Sequence, residues 1–277
     1  MRFTRIAGEQ VPVLGQGTWQ MGDNAARRTQ EIAALQAGID LGLTLIDTAE
    51  MYGNGASEEL VGEAIEGRRD RVFLVTKVLP GNATSAKKIT AACEQSLRRL
   101  RVSHVDLYLL HWRQSEKLAV VVDAFAELVR SGKVRHWGVS NFDVGDLEEL
   151  RGVPGAAAVA SNQVLYNVTR RGIEFDLLPE ARARSLNVMA YSPIEQGRIV
   201  DNAALARIAG QRHATPAQIA LAWAIRQDGV VAIPKAGTVA HVQDNARAAE
   251  LALTPQELAE IDRAFPPPVR SRPLEMI

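Results

Sequence analysis

The chain has 277 residues, a length that fits one or two average domains or a single α/β barrel of about 250 residues. Its 32 basic and 32 acidic residues balance, so no net charge attracts nucleic acid or an anionic membrane, and we expect neither as a partner. The mixture of 47% apolar and 23% charged residues is globular and excludes intrinsic disorder. The single cysteine, Cys93, cannot form an internal disulfide. Because no leader or long apolar run is present either, we expect a soluble cytoplasmic protein.

Short apolar runs rich in β-branched residues recur along the chain and predict strands. They lack strict alternation, as expected for strands that are buried on both faces. There are eight such runs, at residues 14–18, 43–47, 71–77, 104–111, 134–140, 158–163, 187–192 and 230–235. Amphipathic stretches of helical length, such as 27–42 and 85–100, separate them and indicate parallel strands joined by helices. Eight strand-helix units predict an (α/β)8 TIM barrel, and without any linker-like segment we expect one domain over 1–277.

Two segments lie outside this alternation. Turn residues between short apolar pieces in RFTRIAGEQVPV predict an N-terminal β-hairpin, and residues 255–265 predict an extra C-terminal helix before a short tail. The segment LGQGTWQMG lacks the GxGxxG spacing, so a Rossmann dinucleotide site has little support. A nicotinamide cofactor would therefore bind in a barrel.

Polar residues end three consecutive predicted strands, which is where a barrel places its active site. Asp47 ends the second strand with Tyr52 shortly after it, Lys77 ends the third, and His111 ends the fourth. Considered alone, Asp47 is typical of a helix cap and Tyr52 of a half-buried ring. His111 alone is typical of a structural histidine. A buried Lys77, however, needs a carboxylate partner, and four such residues on one face favour an active site.

These four residues suit reduction of a carbonyl group. A tyrosine hydroxyl ordinarily has a pKa of about 10, and a neighbouring Lys77 ammonium is expected to lower that pKa. Asp47 would hold Lys77 charged, while His111 could donate a hydrogen bond to a carbonyl oxygen. The set contains neither a nucleophile with an adjacent base nor a cluster of metal ligands, so we expect no metal.

The same residues lie in motifs that resemble the aldo-keto reductases along nearly the whole chain. The motifs are GQGTW at 15–19, LIDTAEMYG at 45–53, TK at 76–77, DLYLLHW at 106–112, GKVRHWGVSNF at 132–142, NQVLYN at 162–167, VMAYSP at 188–193 and AIPK at 232–235. The segment GLTLIDTAEMYG is most similar to bacterial members of the methylglyoxal and diketogluconate reductase kind. The resemblance implies an (α/β)8 barrel with the tetrad Asp47, Tyr52, Lys77 and His111. In that tetrad Tyr52 is the general acid, with a pKa depressed by Lys77 and Asp47.

The resemblance also assigns a nicotinamide cofactor site. Ser140, Asn141 and Gln163 match positions that bind the carboxamide, and Tyr191 matches the ring that stacks on the nicotinamide. The remaining matching positions are Gly17, Thr18, the pyrophosphate-loop residues Ser192, Pro193 and Ile194, and the adenosine-end residues Lys235, Ala236, Gly237, Thr238, His241, Asp244 and Asn245. For Asp244, helix capping or solvation is an equally good interpretation.

The adenosine end departs from the family pattern at two positions. Lys235 matches the residue that holds the 2'-phosphate of NADP, and the helix starting near Val239 offers N–H groups to an anion. Ala236, however, replaces the usual serine, and His241 replaces the usual arginine. A neutral imidazole lacks the permanent charge and the donors of a guanidinium. We therefore expect NADPH to be preferred by a reduced margin, with NADH as a possible second cofactor.

The substrate is predicted only by class. Trp19 and Trp112 match pocket-wall positions, and Met21 and Met51 could complete a mixed apolar wall. The short loop after His111 and the short tail favour small aldehydes, dicarbonyls such as methylglyoxal, or keto-sugars. The resemblance implies a monomer.

Two alternatives stay open. A glycosidase or isomerase barrel would need paired carboxylates or another constellation at the same strand ends. A regulatory or interaction barrel would bind the cofactor but turn over little substrate.

Overall fold

The computed structural model describes residues 1–277 as a ring of parallel strands enclosed by helices. The strands, in chain order, are β1 Phe3–Ile6, β2 Glu9–Pro12, β3 Gln16–Gly17, β4 Leu45–Asp47, β5 Phe73–Val78, β6 Val105–Leu110, β7 Val134–Ser140, β8 Val159–Leu165, β9 Asn187–Tyr191 and β10 Val230–Ala232. The helices are α1 Arg28–Asp40, α2 Ala56–Ala64, α3 Ala86–Leu100, α4 Leu118–Arg130, α5 Val144–Arg151, α6 Leu177–Ala183, α7 Ala203–Arg212, α8 Pro216–Ala224, α9 Val239–Ala248 and α10 Pro255–Ala264. The predicted barrel and its eight strands are confirmed.

Strands β3 to β10 pair in sequence order, and the ring closes between its two ends. Gly15 N–H donates to Ala232 O at 2.9 Å and Gly17 N–H donates to Pro234 O at 3.0 Å. A Cβ on Gly17 would lie 2.6 Å from Ile233 O, so only glycine permits this approach. The first barrel strand, β3 at Gln16–Gly17, is shorter than the predicted 14–18.

The N-terminal hairpin is confirmed and closes one end of the barrel. Ala7 and Gly8 have φ of 48° and 84°, the left-handed pair that a tight two-residue hairpin requires. Ile6 and Val11 are fully buried and pack into the apolar interior of the barrel. The predicted C-terminal helix is also confirmed as α10, which begins with the capping box of Thr254 and Glu257.

The buried apolar side chains form two layers. A larger cluster of 64 residues lies between the strands and the helices, and a cluster of 11 fills the barrel interior. Side chains two apart on a strand point to the same face. Interior residues Leu45, Val75 and Leu109 are therefore followed, two positions later and on the same face, by Asp47, Lys77 and His111. The fold thus places the polar tetrad directly above the apolar interior.

Candidate active site

Lys77 is the centre of the tetrad. Its Nζ atom lies 2.8 Å from Asp47 Oδ2, 2.9 Å from Thr48 O and 3.1 Å from the Tyr52 hydroxyl. Lys77 has no exposed surface and Asp47 is 2% exposed. Since a buried ammonium is costly unless it is paired and hydrogen-bonded, three oxygen partners make this geometry stable. The predicted grouping of these three side chains is confirmed by the structure.

Both oxygens of the Asp47 carboxylate are engaged. Oδ2 accepts from Lys77, and Oδ1 accepts from Gln163 Nε2 at 2.7 Å. Sequence reasoning assigned Gln163 to the cofactor and missed this second contact. Gln163 therefore fixes the carboxylate that orients Lys77, while its Oε1 atom accepts no hydrogen bond from the protein.

A tight turn directly follows Tyr52, whose hydroxyl lies beside Lys77 at the strand ends. Gly53 and Gly55 have φ of 55° and 94°, conformations that glycine adopts readily, and Tyr52 itself is 9% exposed. Glu50 anchors the preceding loop, because its Oε1 accepts from Leu79 N–H at 2.7 Å and from Asn82 Nδ2 at 3.0 Å. The turn and this anchor set the position of the hydroxyl.

The expected depression of the Tyr52 pKa is wrong for this structure. Burial, the largest influence, raises the pKa, Lys77 lowers it, and the nearby negative charge of Asp47 raises it again. The net direction is upward, so Tyr52 stays protonated at neutral pH. For Lys77, burial would lower the pKa, but Asp47 and Tyr52 together more than offset this, so the net direction is upward and the side chain stays charged.

His111 is a neutral imidazole at the mouth of the site. Burial, helped by the charge of Lys77, lowers its pKa to about 2. Its Nδ1 atom is buried without a hydrogen-bond partner, whereas Nε2 is not among the buried atoms that lack a partner. An N–H group is more costly to bury unpaired than a lone pair, so the proton belongs on Nε2. His111 can therefore donate one hydrogen bond outward.

The four residues expected near the nicotinamide lie together at the ends of β7, β8 and β9. The Tyr191 hydroxyl donates to Asn141 Oδ1 at 3.1 Å, Asn141 Nδ2 donates to His111 O at 3.1 Å, and Ser140 Oγ donates to Gln163 O at 2.9 Å. Burial raises the pKa of Tyr191 to about 12. These side chains form a connected polar group beside the tetrad.

The adenosine-end residues lie around the start of α9. The Lys235 side chain is exposed and forms no hydrogen bond or ion pair within the chain, while its backbone lies in the barrel closure opposite Gly17. Thr238 caps the helix, since its hydroxyl accepts from His241 N–H at 3.2 Å, and His241 is exposed. Asp244 is partly exposed beside Arg247, whereas Ala236 and Asn245 are buried and Gly237 is half-buried. An unpaired ammonium beside a helix N-terminus fits an anionic group.

The pyrophosphate-loop residues follow β9. Ser192 and Ile194 are half-buried and Pro193 is buried. Ser192 has a φ of 48°, so this loop leaves the strand in an unusual conformation. The contacts of Glu195 with Asn167 and Arg170 that hold this loop were not predicted, because the partners are remote from one another in the chain.

The predicted substrate wall is only partly assembled. Trp19 is 45% exposed with its ring 5.0 Å from that of Tyr52, and the Trp112 ring lies 4.9 Å from His111. Met51 is half-buried next to Tyr52. Met21, in contrast, is fully buried in the layer between strands and helices, so its placement on the wall is wrong.

Thr18 and Gly17 have supporting positions. The Thr18 hydroxyl is fully buried, donates to Asp47 O at 2.9 Å and accepts from Ser57 Oγ at 2.7 Å. The structure therefore does not present the Thr18 side chain to a cofactor, because it is used to bind the strand end that carries Asp47. Gly17 is buried in the closure of the barrel.

Comparison with known proteins places this geometry in a family. The model of the aldo/keto reductase family matches residues 13–265. The chain belongs to the aldo/keto reductase family. It is 51% identical to methylglyoxal reductase YeaE of Escherichia coli, with 100% of this chain and 99% of that protein covered. It is 32% identical to methylglyoxal reductase DkgB of Salmonella typhimurium, with 81% and 82% covered.

Solved structures of aldo/keto reductases superpose on the whole chain. A Klebsiella pneumoniae structure in complex with NADP and acetate has a TM-score of 0.97 and 49% identity, with 99% of each chain covered. A Klebsiella pneumoniae structure in complex with NADPH has a TM-score of 0.98 and 48% identity, with 100% of this chain and 99% of that chain covered. The predicted family, the similarity to bacterial methylglyoxal reductases and the oxidoreductase class are confirmed. None of the ten helices combines the length and apolarity needed to cross a bilayer.

Proposed function

We propose that this protein is an NADPH-dependent reductase of small aldehydes and dicarbonyls such as methylglyoxal, with Tyr52 as the general acid. The observation that carries the proposal is the buried hydrogen bond of 3.1 Å between Lys77 Nζ and the Tyr52 hydroxyl, beside a neutral His111. Relatives named methylglyoxal reductase support the substrate class, and NADP in similar structures supports the cofactor.

The residues of this chain fit a nicotinamide cofactor. Gln163 Oε1 is a free acceptor beside Ser140 and Asn141, which suits a carboxamide, and the half-buried Tyr191 ring suits a flat apolar ring. At the other end, the unpaired Lys235 suits a phosphate. Bound NADPH would supply the hydride for carbonyl reduction. The exposed His241 supports our expectation that the preference over NADH is modest.

Side chains of this protein would then donate one proton and stabilise the negative charge on one oxygen. A carbonyl oxygen between the Tyr52 hydroxyl and His111 Nε2–H would accept two hydrogen bonds, which strengthen as negative charge develops on it. Tyr52 would release its proton to that oxygen, which is a stronger base than a phenolate. Lys77, 3.1 Å away, would stabilise the phenolate that remains, and Asp47 would keep Lys77 charged and in place.

The raised pKa of Tyr52 is compatible with this role. A general acid for reduction must be protonated when the substrate binds, and burial ensures that at neutral pH. The Lys77 ammonium acts mainly once the phenolate forms. The contribution of Lys77 is therefore to the transition state rather than to the resting protein.

The proposal is tested by initial rates of NADPH and NADH oxidation with methylglyoxal and a panel of aldehydes, keto-sugars and ketones. We expect saturable turnover of small dicarbonyls, with NADPH favoured. Saturable NADPH binding without turnover of any carbonyl compound would instead support the regulatory barrel. We also propose that residues 1–277 act as a single monomeric domain, which size-exclusion chromatography with light scattering can test.

A further inference from the structure

The loop after β9 has an unusual backbone conformation. Ser192, Glu195 and Gln196 have φ of 48°, 49° and 56°, and Gly197 has a φ of 89°. Residues other than glycine adopt such left-handed values rarely, and three within five positions need an outside support to persist. Residues 192–197, which we call the cofactor loop, include the segment assigned above to the pyrophosphate.

Glu195, a residue of the loop, receives that support through its carboxylate. It is 5% exposed, and its Oε2 accepts from Asn167 Nδ2 at 2.7 Å. Its Oε1 accepts from Arg170 Nη2 and from Arg198, both at 3.0 Å. Burial alone would raise the pKa of Glu195, but Arg170 and Asn167 reverse this, so the carboxylate stays charged.

Asn167 and Arg170 form a fixed platform for the loop. Asn167 Oδ1 accepts from the backbone N–H of Thr169 at 2.9 Å and of Arg170 at 3.0 Å. Asn167 Nδ2 also donates to Ser192 O at 2.9 Å. Ser192 and Glu195 of the cofactor loop therefore attach to the same short turn.

The guanidinium of Arg170 has a second anionic partner. Its Nη1 donates to Glu275 Oε1 at 2.7 Å, while Nε and Nη2 face Glu195. Glu275 belongs to the C-terminal tail, residues 265–277, in which Leu274 packs against the main core. The tail and the cofactor loop thus share one guanidinium, that of Arg170.

We propose that Arg170 is a positioning residue that couples the cofactor loop, through Glu195, to docking of the C-terminal tail, through Glu275. The inference rests on the proposed function, since it assumes that the cofactor loop contacts the cofactor. A cofactor that orders the loop fixes Glu195, which fixes Arg170 and so holds Glu275. Because such coupling is reciprocal, loss of the tail contact must also weaken cofactor binding.

The test uses trypsin, which can cut the exposed Arg270–Ser271 bond and release the tail. We expect saturating NADPH to slow this cleavage several-fold in the wild-type protein, as followed by intact mass. Glu275→Gln and Arg170→Lys should abolish the NADPH-dependent slowing. Arg198→Lys is the matched control, because Arg198 contacts the same Glu195 but has no contact with the tail, and should keep the slowing.

Titration of NADPH by quenching of tryptophan fluorescence gives a second readout. Glu275→Gln should weaken NADPH binding by about fivefold or more, although residue 275 is not assigned to the cofactor site. Glu275 is a partly exposed residue, so this variant should fold normally. NADPH binding and tail protection that persist unchanged in Glu275→Gln and Arg170→Lys would overturn the coupling. A wild-type protein that binds no NADPH would refute the proposed function and this inference together.

Discussion

The change Tyr52→Phe removes one oxygen atom from the centre of the tetrad. The hydroxyl accepts one of the three hydrogen bonds of Lys77, and the bonds to Asp47 and Thr48 remain after the change. A hydrogen bond to a charged group contributes about 1.5 to 3 kcal/mol to the free energy of unfolding. Because a folded domain is typically stable by about 5 to 15 kcal/mol, the variant should still fold. Loss of a general acid should lower kcat by roughly 100- to 10,000-fold, which corresponds to about 3 to 5 kcal/mol of transition-state stabilisation.

The assay combines turnover, binding and stability. Initial rates of NADPH oxidation with saturating methylglyoxal give kcat, fluorescence quenching gives the Kd for NADPH, and urea denaturation gives the free energy of unfolding. We expect the Kd of Tyr52→Phe to stay within about twofold, because the hydroxyl contributes chiefly as charge develops on the substrate.

Tyr108→Phe is the matched control for this experiment. Tyr108 is fully buried outside the site and its hydroxyl has no hydrogen-bond partner, so the change should leave kcat unchanged and stability equal or higher. A Tyr52→Phe variant that keeps more than a tenth of the wild-type kcat would refute the role of Tyr52 as the proton donor. A parallel loss of NADPH affinity would make Tyr52 a structural residue.

Three further predictions follow from the ionisation states and the cofactor site. Because the Tyr52 pKa is raised above 10.0, activity in reduction should fall only as the pH rises beyond about 10, and an inflection between pH 7 and about 8 in the kcat/KM profile would contradict this. The His111 pKa is about 2 in the folded protein against an ordinary 6.5, so the unfolded state binds more protons below pH 6.5. As the pH falls below 6.5, the free energy of unfolding of the wild type should therefore decrease by up to about 1.4 kcal/mol per pH unit because of His111. Denaturation of His111→Gln at the same pH values should lack this decrease. His241→Arg should tighten NADPH more than NADH by adding a charged partner for the 2'-phosphate, and an unchanged ratio of the two Kd values would exclude that contact.

The barrel could be predicted from the sequence because its strands have a clear pattern. Buried strands read as short apolar runs, and all eight lie where the runs predict them. The tetrad was predictable for the same reason, since polar residues that end neighbouring parallel strands must meet at one face. The bounds of β3 were not predicted, because Gly15 and Gly17 permit close contact with neighbouring backbone but do not mark where a strand begins or ends.

Contacts and ionisation could not be predicted in the same way. Met21 is apolar and lies in a loop, and its sequence context does not distinguish the pocket wall from the core. The Tyr52 pKa depends first on burial, which no local pattern reports, and the charge of Asp47 raises this pKa, whereas the resemblance implied that Lys77 and Asp47 together lower it. The pairing of Arg170 with Glu195 and Glu275 joins segments 25 and 105 residues apart, which no local pattern records.

The most direct test of the central claim is to follow an isotope from cofactor to product. NADPH that carries deuterium at the hydride position is incubated with methylglyoxal and the purified protein, and the product is examined by mass spectrometry. We predict a hydroxy compound that has gained one deuterium on the former carbonyl carbon, formed by the wild type and by Tyr108→Phe but not at a comparable rate by Tyr52→Phe. No labelled product, in a protein that binds NADPH with saturation, would contradict the assignment of this tetrad to the reduction of small dicarbonyls.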